Sequence, residues 1–207
     1  MKTTHHRPAP QQARAIATRR KLLEATVTVL CERGYAGTTT TEVARAAAVS
    51  QGALYKHFGT KHGLIAATTE HLFTSLINEF GLAFAGASGG DRVGSALRAL
   101  WAIFVTPQLY AVLELYMAAR TDDKLREALL PVLIIHRANL MAEARTLFPE
   151  AAAENPRFEQ SVDGLLATMQ GAALSAAVIT EIKDGAEIIP FLEYLGKREF
   201  EPPYGVE

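Results

Sequence analysis

The sequence predicts an all-α protein in two parts, an N-terminal three-helix unit built on a helix-turn-helix and a C-terminal helical domain. Three observations support this. Apolar residues recur at i, i+3 and i+4 in every long segment, with no β alternation of useful length and no internal repeat. Thr38 to Leu64, TTTTEVARAAAVSQGALYKHFGTKHGL, carries two short helical patterns joined by a tight turn. The tract GASGGDRVG, Gly86 to Gly94, is the strongest linker signal in the chain. Residues 1–11 are predicted as a disordered tail, 12–60 as the helix-turn-helix unit and 61–207 as the second domain.

The first helix is predicted over Gln12 to Arg33, with Leu22, Thr26, Val29 and Leu30 on one stripe and Gly34 as its stop. Thr39 and Glu42 then read as a capping box, in which the threonine hydroxyl accepts from an orphan N–H and the glutamate reaches back to the cap. A short helix follows from Thr40, burying Val43, Ala44 and Ala47. Ala48-Val49 turns the chain, and Ser50 caps a helix over Gln51 to Phe58. Within that helix Leu54 and Phe58 face inward, which leaves Gln51, Ala53, Lys56 and His57 elsewhere on its circumference. Gly59-Thr60 breaks it, and a long helix runs from Lys61 to Phe84 through Leu64, Ala67, His71, Phe73, Leu76 and Phe80.

Beyond the linker, Asp91 to Val105 presents Leu97, Leu100, Trp101 and Phe104 on one stripe. Thr106-Pro107 reads as an N-cap followed by proline at the first helical position, opening a helix to Ala119. Thr121-Asp122-Asp123 starts another, with acids favoured by the helix dipole, and Phe148-Pro149 ends it. Asn155-Pro156 opens a helix through Val162, Leu165, Leu166, Met169, Leu174 and Val178 to Gly185, and a last short helix spans Ile188 to Arg198.

Composition narrows the function. The chain has 207 residues, 49% of them hydrophobic, enough for a sizeable core. No stretch approaches the roughly 18 uninterrupted apolar residues of a membrane span, and the N-terminus lacks the apolar core of a signal peptide, so a cytoplasmic protein without a membrane role is expected. The lone Cys31 forms no intrachain disulfide and reads as an inert, buried thiol. The formal net charge of −1 hides a segregation: residues 1–61 carry +7 and the remainder −8. A basic end beside an acidic remainder is the footprint of a chain that touches phosphate with one end only. Six histidines are scattered, His5-His6 is too isolated for a metal site, and there is no HExxH, paired cysteine, phosphate-binding loop or nucleophile elbow. No catalytic residue, metal or cofactor is expected; a helical enzyme survives only if a carboxylate meets His136 or His71 in a cleft.

The run RRKLLEATVTVLCERGY, then TT with EVA, then VSQGALYKHF, then Lys61 and Leu64 at this spacing, resembles the DNA-binding domain of the TetR family of bacterial transcriptional regulators over Arg19 to Phe73. One departure stands out: Ala48 occupies the turn position where the family commonly has glycine, and a left-handed backbone there costs an L-residue about 1 kcal/mol. The resemblance implies a DNA-binding regulator, with Thr39, Tyr55 and Lys61 as phosphate contacts. Ser50, Gln51, Gly52, Ala53 and Lys56 would present the reading face to the major groove: glycine permits close approach, glutamine pairs with adenine and lysine donates to guanine. His57 either joins them or supports the helix as a half-buried ring.

It further implies an inducer-binding and dimerising C-terminal domain. Trp101, Phe104, Tyr110, Leu113, Tyr116, Met117, His136, Leu140 and Met169 combine an apolar zone with polar tips, the composition of a pocket for a small hydrophobic or aromatic effector. A cavity of about 300 Å³ or more among them would favour that reading, and a filled core around Trp101 and Tyr116 would favour a regulator without inducer. Gly164, Ala167, Gly171, Ala172, Ser175 and Ala176 permit close helix approach, and the resemblance implies that they pack on their two-fold mates in a homodimer that reads a palindromic operator. Repression released by ligand is the expected mode of action.

Overall fold

The computed structural model describes residues 10–85, 90–182 and 184–204, all helix, turn or loop without a strand. Among the described residues ten α-helices follow one another: α1 (Pro10–Gly37), α2 (Thr40–Ala46), α3 (Gln51–Phe58), α4 (Lys61–Ala85), α5 (Arg92–Phe104), α6 (Pro107–Ala118), α7 (Asp123–Leu147), α8 (Pro149–Glu154), α9 (Phe158–Ala176) and α10 (Ile188–Phe200). Residues 1–9 of the expected tail and 86–89 of the expected linker lie outside the described residues.

Local chemistry explains most boundaries. The side chains of Thr39, Ser50, Asp91, Thr106 and Asp122 each accept from a backbone N–H in the first turn of the helix they cap, at 2.9 to 3.3 Å. Half of the predicted capping box forms. Glu42 does not reach back to the cap; its carboxylate pairs with Arg33 at 2.7 Å and Arg45 at 2.8 Å, which hold it below the usual carboxylate range. At Asn155 the expected cap is likewise absent from the helix proper, because its amide instead donates to the Glu199 carbonyl at 2.8 Å and its oxygen accepts from Arg157 N. Helix α9 stops at Ala176, well before Gly185. The β-branched run Val178-Ile179-Thr180 that follows is a poor helix former and contains only a 3₁₀ turn, Thr180–Ile182.

One core unites α1, α2, α3 and the start of α4 around Leu22, Val29, Val43, Ala44, Leu54 and Leu64. The rest of α4 belongs to a second body, where Leu72, Phe73, Leu76 and Phe80 pack against α5, α6 and α7. Helix α10 lies across α5 and α9, with Gly196 pressed on Val93 and Leu97. Between head and body, α1 packs on α6 around Leu30, Ile65, Ala111, Leu115, Leu125 and Leu129.

A polar cluster finishes this junction. Tyr35 N–H donates to Glu114 Oε1 at 2.8 Å, and the Tyr35 hydroxyl donates to Asp122 Oδ2 at 2.8 Å. His62 Nε2 stands 3.3 Å from the same oxygen. The bond from Leu125 N–H, then those from Tyr35 and His62, pull the Asp122 carboxyl down to about 2, while burial and Asp122 push the Tyr35 phenol up to about 12. Gly34 makes the approach possible: it interrupts α1 at φ +65°, and a Cβ there would lie 2.7 Å from Glu114 Oε1.

Ala48 also has positive φ, +53°, so the turn of the helix-turn-helix keeps its left-handed backbone without glycine. Substitutions at these two positions are predicted to have opposite signs. Ala48→Gly relieves the Cβ strain and should raise unfolding free energy by about 0.5 to 1 kcal/mol. Gly34→Ala adds strain and displaces Glu114 from Tyr35, costing about 2 kcal/mol. Denaturant unfolding of both variants checks this; equal or same-signed effects would contradict it.

Candidate functional site

The outward face of α3 is open. Thr39, Ser50, Gln51, Gly52, Tyr55 and Lys56 are exposed, Ala53 and His57 are half-buried, and Leu54 is fully buried beneath them. Thus the structure brings eight of the nine sequence-predicted DNA residues onto one capped end of the head. A Cβ on Gly52 would meet nothing nearer than Ser50 Oγ at 3.9 Å, so the protein's own packing does not require glycine there. Two threonines of α2, not anticipated from the sequence, hold the reading face: Thr40 Oγ1 lies 3.2 Å from the Tyr55 hydroxyl, and the Gln51 amide donates to Thr41 Oγ1. Their place at the start of α2, opposite α3, was the available signal.

Lys56 makes no ion pair among the described residues, and His57 tilts against Phe58 with ring centroids 6.1 Å apart. Arg19 stacks over the Phe58 ring at 5.2 Å, fixing α1 against the reading helix. The ninth residue is placed differently. Lys61, expected to meet a phosphate, turns inward: its ammonium donates to the Tyr35 carbonyl at 3.2 Å, sits 4.2 Å over the Tyr35 ring, and is pushed down in pKa by burial. An aromatic face and a carbonyl at the junction outcompete solvent for this cation.

The body contains an apolar cavity of about 150 Å³ between α4, α5, α7 and α9, with Phe148 and Phe200 also in its wall. Of the nine residues expected to line a pocket, Phe104, His136, Leu140 and Met169 do so. Trp101, Tyr110, Leu113, Tyr116 and Met117 do not. Trp101 is buried against Leu165, Met169 and Leu192, with Gly185 beneath its indole; Leu113 is buried; Tyr116 packs in the neighbouring cluster of Leu72, Phe73 and Val112; Met117 faces outward. The Tyr110 hydroxyl is buried without a partner in that packed layer. Six of the nine expected residues lie on α5 and α6, whereas the cavity wall comes mostly from α4, α5, α7 and α9, with Leu109 from α6. Phe73, Leu76 and Phe80 of α4 therefore line it, residues whose spacing looked like ordinary core.

His136 is the cavity's distinctive group. Its ring stacks on Phe73 at 3.5 Å and 4°, its Nδ1 is buried without a hydrogen-bond partner, and burial pushes its pKa down to about 4. The exposed Glu143 is the other polar side chain in the lining, and no Lys or Arg contributes. No cleft brings His136 to a carboxylate at hydrogen-bond distance among the described residues. No cluster of three potential metal ligands occurs among them either.

On the opposite side of α9, Gly164, Ala167, Gly171 and Ser175 are exposed, Ala172 is half-buried and Ala176 is fully buried against the body. Leu174 and Val178 continue this face, as do Phe191 and Tyr194 of α10, which are 52% and 56% exposed. No single helix among the described residues is long and apolar enough to cross a membrane.

Comparison with known proteins bears on this arrangement at several levels. The family model described as bacterial regulatory proteins, tetR family, matches residues 22–68, the head and the start of α4. An uncharacterized HTH-type transcriptional regulator of Mycobacterium tuberculosis is 31% identical over 187 residues, covering 89% of this chain and 95% of that protein. Among solved structures, a TetR-family regulator from Rhodococcus sp. superposes with a TM-score of 0.70 at 22% identity, covering 89% of this chain and 99% of that one. FadR from Bacillus subtilis, in complex with stearoyl-CoA, superposes with a TM-score of 0.63 at 14% identity, covering 91% and 99%. The last two show a common fold. With the reading head matched by the family model and a relative aligned along almost its whole length, the chain belongs to the TetR family of DNA-binding transcriptional regulators, and it is not an enzyme.

Proposed function

We propose that the protein is a cytoplasmic repressor that grips a palindromic operator as a homodimer, with α3 in the major groove, and is released by a small apolar effector held in the body. The observation that carries the DNA part is the open polar face of α3 on a basic head, backed by a buried Leu54 and a capped N-terminus. Gln51 and Lys56 read base edges in this account, Ser50, Gly52 and Ala53 complete the reading face and allow close approach, and Thr39 and Tyr55 contact phosphate. Lys61 is reassigned to holding the head on the body.

Dimerisation is supported by the exposed small and apolar residues of α9 and α10. Gly164 and Gly171 have nothing within 4 Å of where a Cβ would be, so close packing inside this chain does not call for them. A second copy related by a two-fold axis would cover Leu174, Val178, Phe191 and Tyr194 and set the spacing of two heads.

The cavity supports the effector. FadR, of the same fold, was solved with stearoyl-CoA. A regulator without inducer is favoured by two observations, that the cavity of about 150 Å³ falls short of the size expected and that the core around Trp101 and Tyr116 is filled. Release of operator by a cavity ligand separates the two readings, since only a ligand that binds the two conformations unequally shifts the equilibrium.

Genomic fragments selected by binding would supply the operator. On it, Gln51→Ala and Lys56→Ala should each cost about 1 to 3 kcal/mol and blunt discrimination among operator variants, whereas Tyr55→Phe should weaken all sequences alike. Uniform losses from every variant, measured by titration, would remove the base-reading roles. Ala167→Glu puts a charge on the exposed face of α9 without disturbing the core. Sedimentation should then show a folded monomer with collapsed operator affinity, and a persistent dimer would place the interface elsewhere.

A further inference from the structure

The body cavity states something about the chemistry of its occupant, given the ligand-response reading on which this inference rests. Its volume, about 150 Å³, admits a benzene-sized molecule and little more. Its walls are leucine, isoleucine, valine, alanine, phenylalanine and methionine apart from His136 and Glu143. Glu143 is exposed, so the cavity meets solvent beside a carboxylate, and no Lys or Arg in the lining offers an anion a counter-charge. A carboxylate or phosphate ligand would therefore lose its hydration and face a like charge on entry.

His136 lies deeper, clamped face to face on Phe73 at 3.5 Å. A neutral imidazole has one N–H and one lone pair, and the buried Nδ1 finds no partner in the protein. An unpaired polar atom in such surroundings is costly, and a ligand whose entry lets the ring shift and be satisfied gains what the empty protein lacks. Because burial holds the ring in its uncharged form at neutral pH, it does not act as a cationic anchor. A hydroxyl both donates and accepts, so it suits either tautomer.

We propose that the cavity takes an uncharged, single-ring hydrophobic molecule bearing one hydroxyl, which hydrogen-bonds to the imidazole of His136. Phe73, Phe80 and Phe104 supply ring faces for its hydrocarbon part, and Glu143 screens out anions at the rim.

The test compares four probes of one shape, 4-ethylphenol, ethylbenzene, 4-ethylbenzoate and 4-ethylbenzylammonium, by calorimetric titration of the wild type and His136→Phe at neutral pH. Operator binding is followed in parallel. In the wild type the phenol should bind more tightly than either charged probe. The ratio of phenol to ethylbenzene affinity should fall about 3- to 10-fold in His136→Phe, the share of one hydrogen bond. Retained ethylbenzene binding reports that the variant cavity is intact; if it is lost, His136→Leu replaces it in the same comparison. An unchanged ratio, or tightest binding by either charged probe, overturns the proposal. If the phenol binds through His136 but leaves operator affinity unaltered, the ligand chemistry stands and release by ligand falls. If none of the four binds, both fall together.

Discussion

Everything in this molecule depends on α4 being buried twice along one continuous helix. Leu64 and Ile65 near its start close the head and the junction, and Leu72, Phe73, Leu76 and Phe80 further along are core to the body. A helix whose apolar face is spent in two places cannot rotate to suit one without exposing residues in the other, and each large side chain so exposed would cost roughly 1.5 to 3 kcal/mol. Head and body are therefore held in a defined relation by ordinary burial, and the polar cluster of Tyr35, Asp122 and His62 sharpens that relation rather than creating it. This also explains Lys61: as the first residue of α4 it is carried into the junction, where the Tyr35 carbonyl and ring face are nearer than any outer surface.

The reading head has a different economy. Helices α2 and α3 are too short to be stable alone, since a helix of eight residues scarcely repays its nucleation in water. Caps at Thr39 and Ser50, the buried Leu54 and the Arg19 guanidinium over Phe58 supply what length does not. Thr40 and Thr41 then hold the tips of Tyr55 and Gln51 before any DNA is present. Side chains ordered in advance lose less entropy on binding, though in the proposed base-reading role Gln51 would exchange a threonine for a base.

What could be seen in the sequence follows the range of the interaction responsible. Caps, turn residues and helical stripes act within a few positions, so the helix-turn-helix, Gly34 as a break and Thr106-Pro107 as a start were all legible. Glu42 shows the first limit: the spacing for a capping box was present, but two arginines, one of them on another helix, compete for its carboxylate. The cavity shows the second. Trp101 and Tyr116 carry the same periodic signal as Phe73 and Phe80, and only the way α4, α5, α7 and α9 pack together decides which of them meet empty space. The bond between Tyr35 and Asp122 spans 87 positions, and nothing local announces it.

Helix α7 begins at the junction and continues into the cavity wall. Asp122, its cap, holds Tyr35 and stands beside His62; His136 and Leu140, fourteen and eighteen residues on, line the cavity. At 1.5 Å per residue the two places are about 20 Å apart along a single rod. Pro131 lies between them, and its missing N–H leaves the preceding turn one hydrogen bond short. A rod with a soft joint delivers at one end only the part of a displacement that the joint does not absorb. The stiffness of α7 at Pro131 thus limits what that rod alone can transmit along its length, whereas α4, which also lines the cavity and runs into the head, contains no proline.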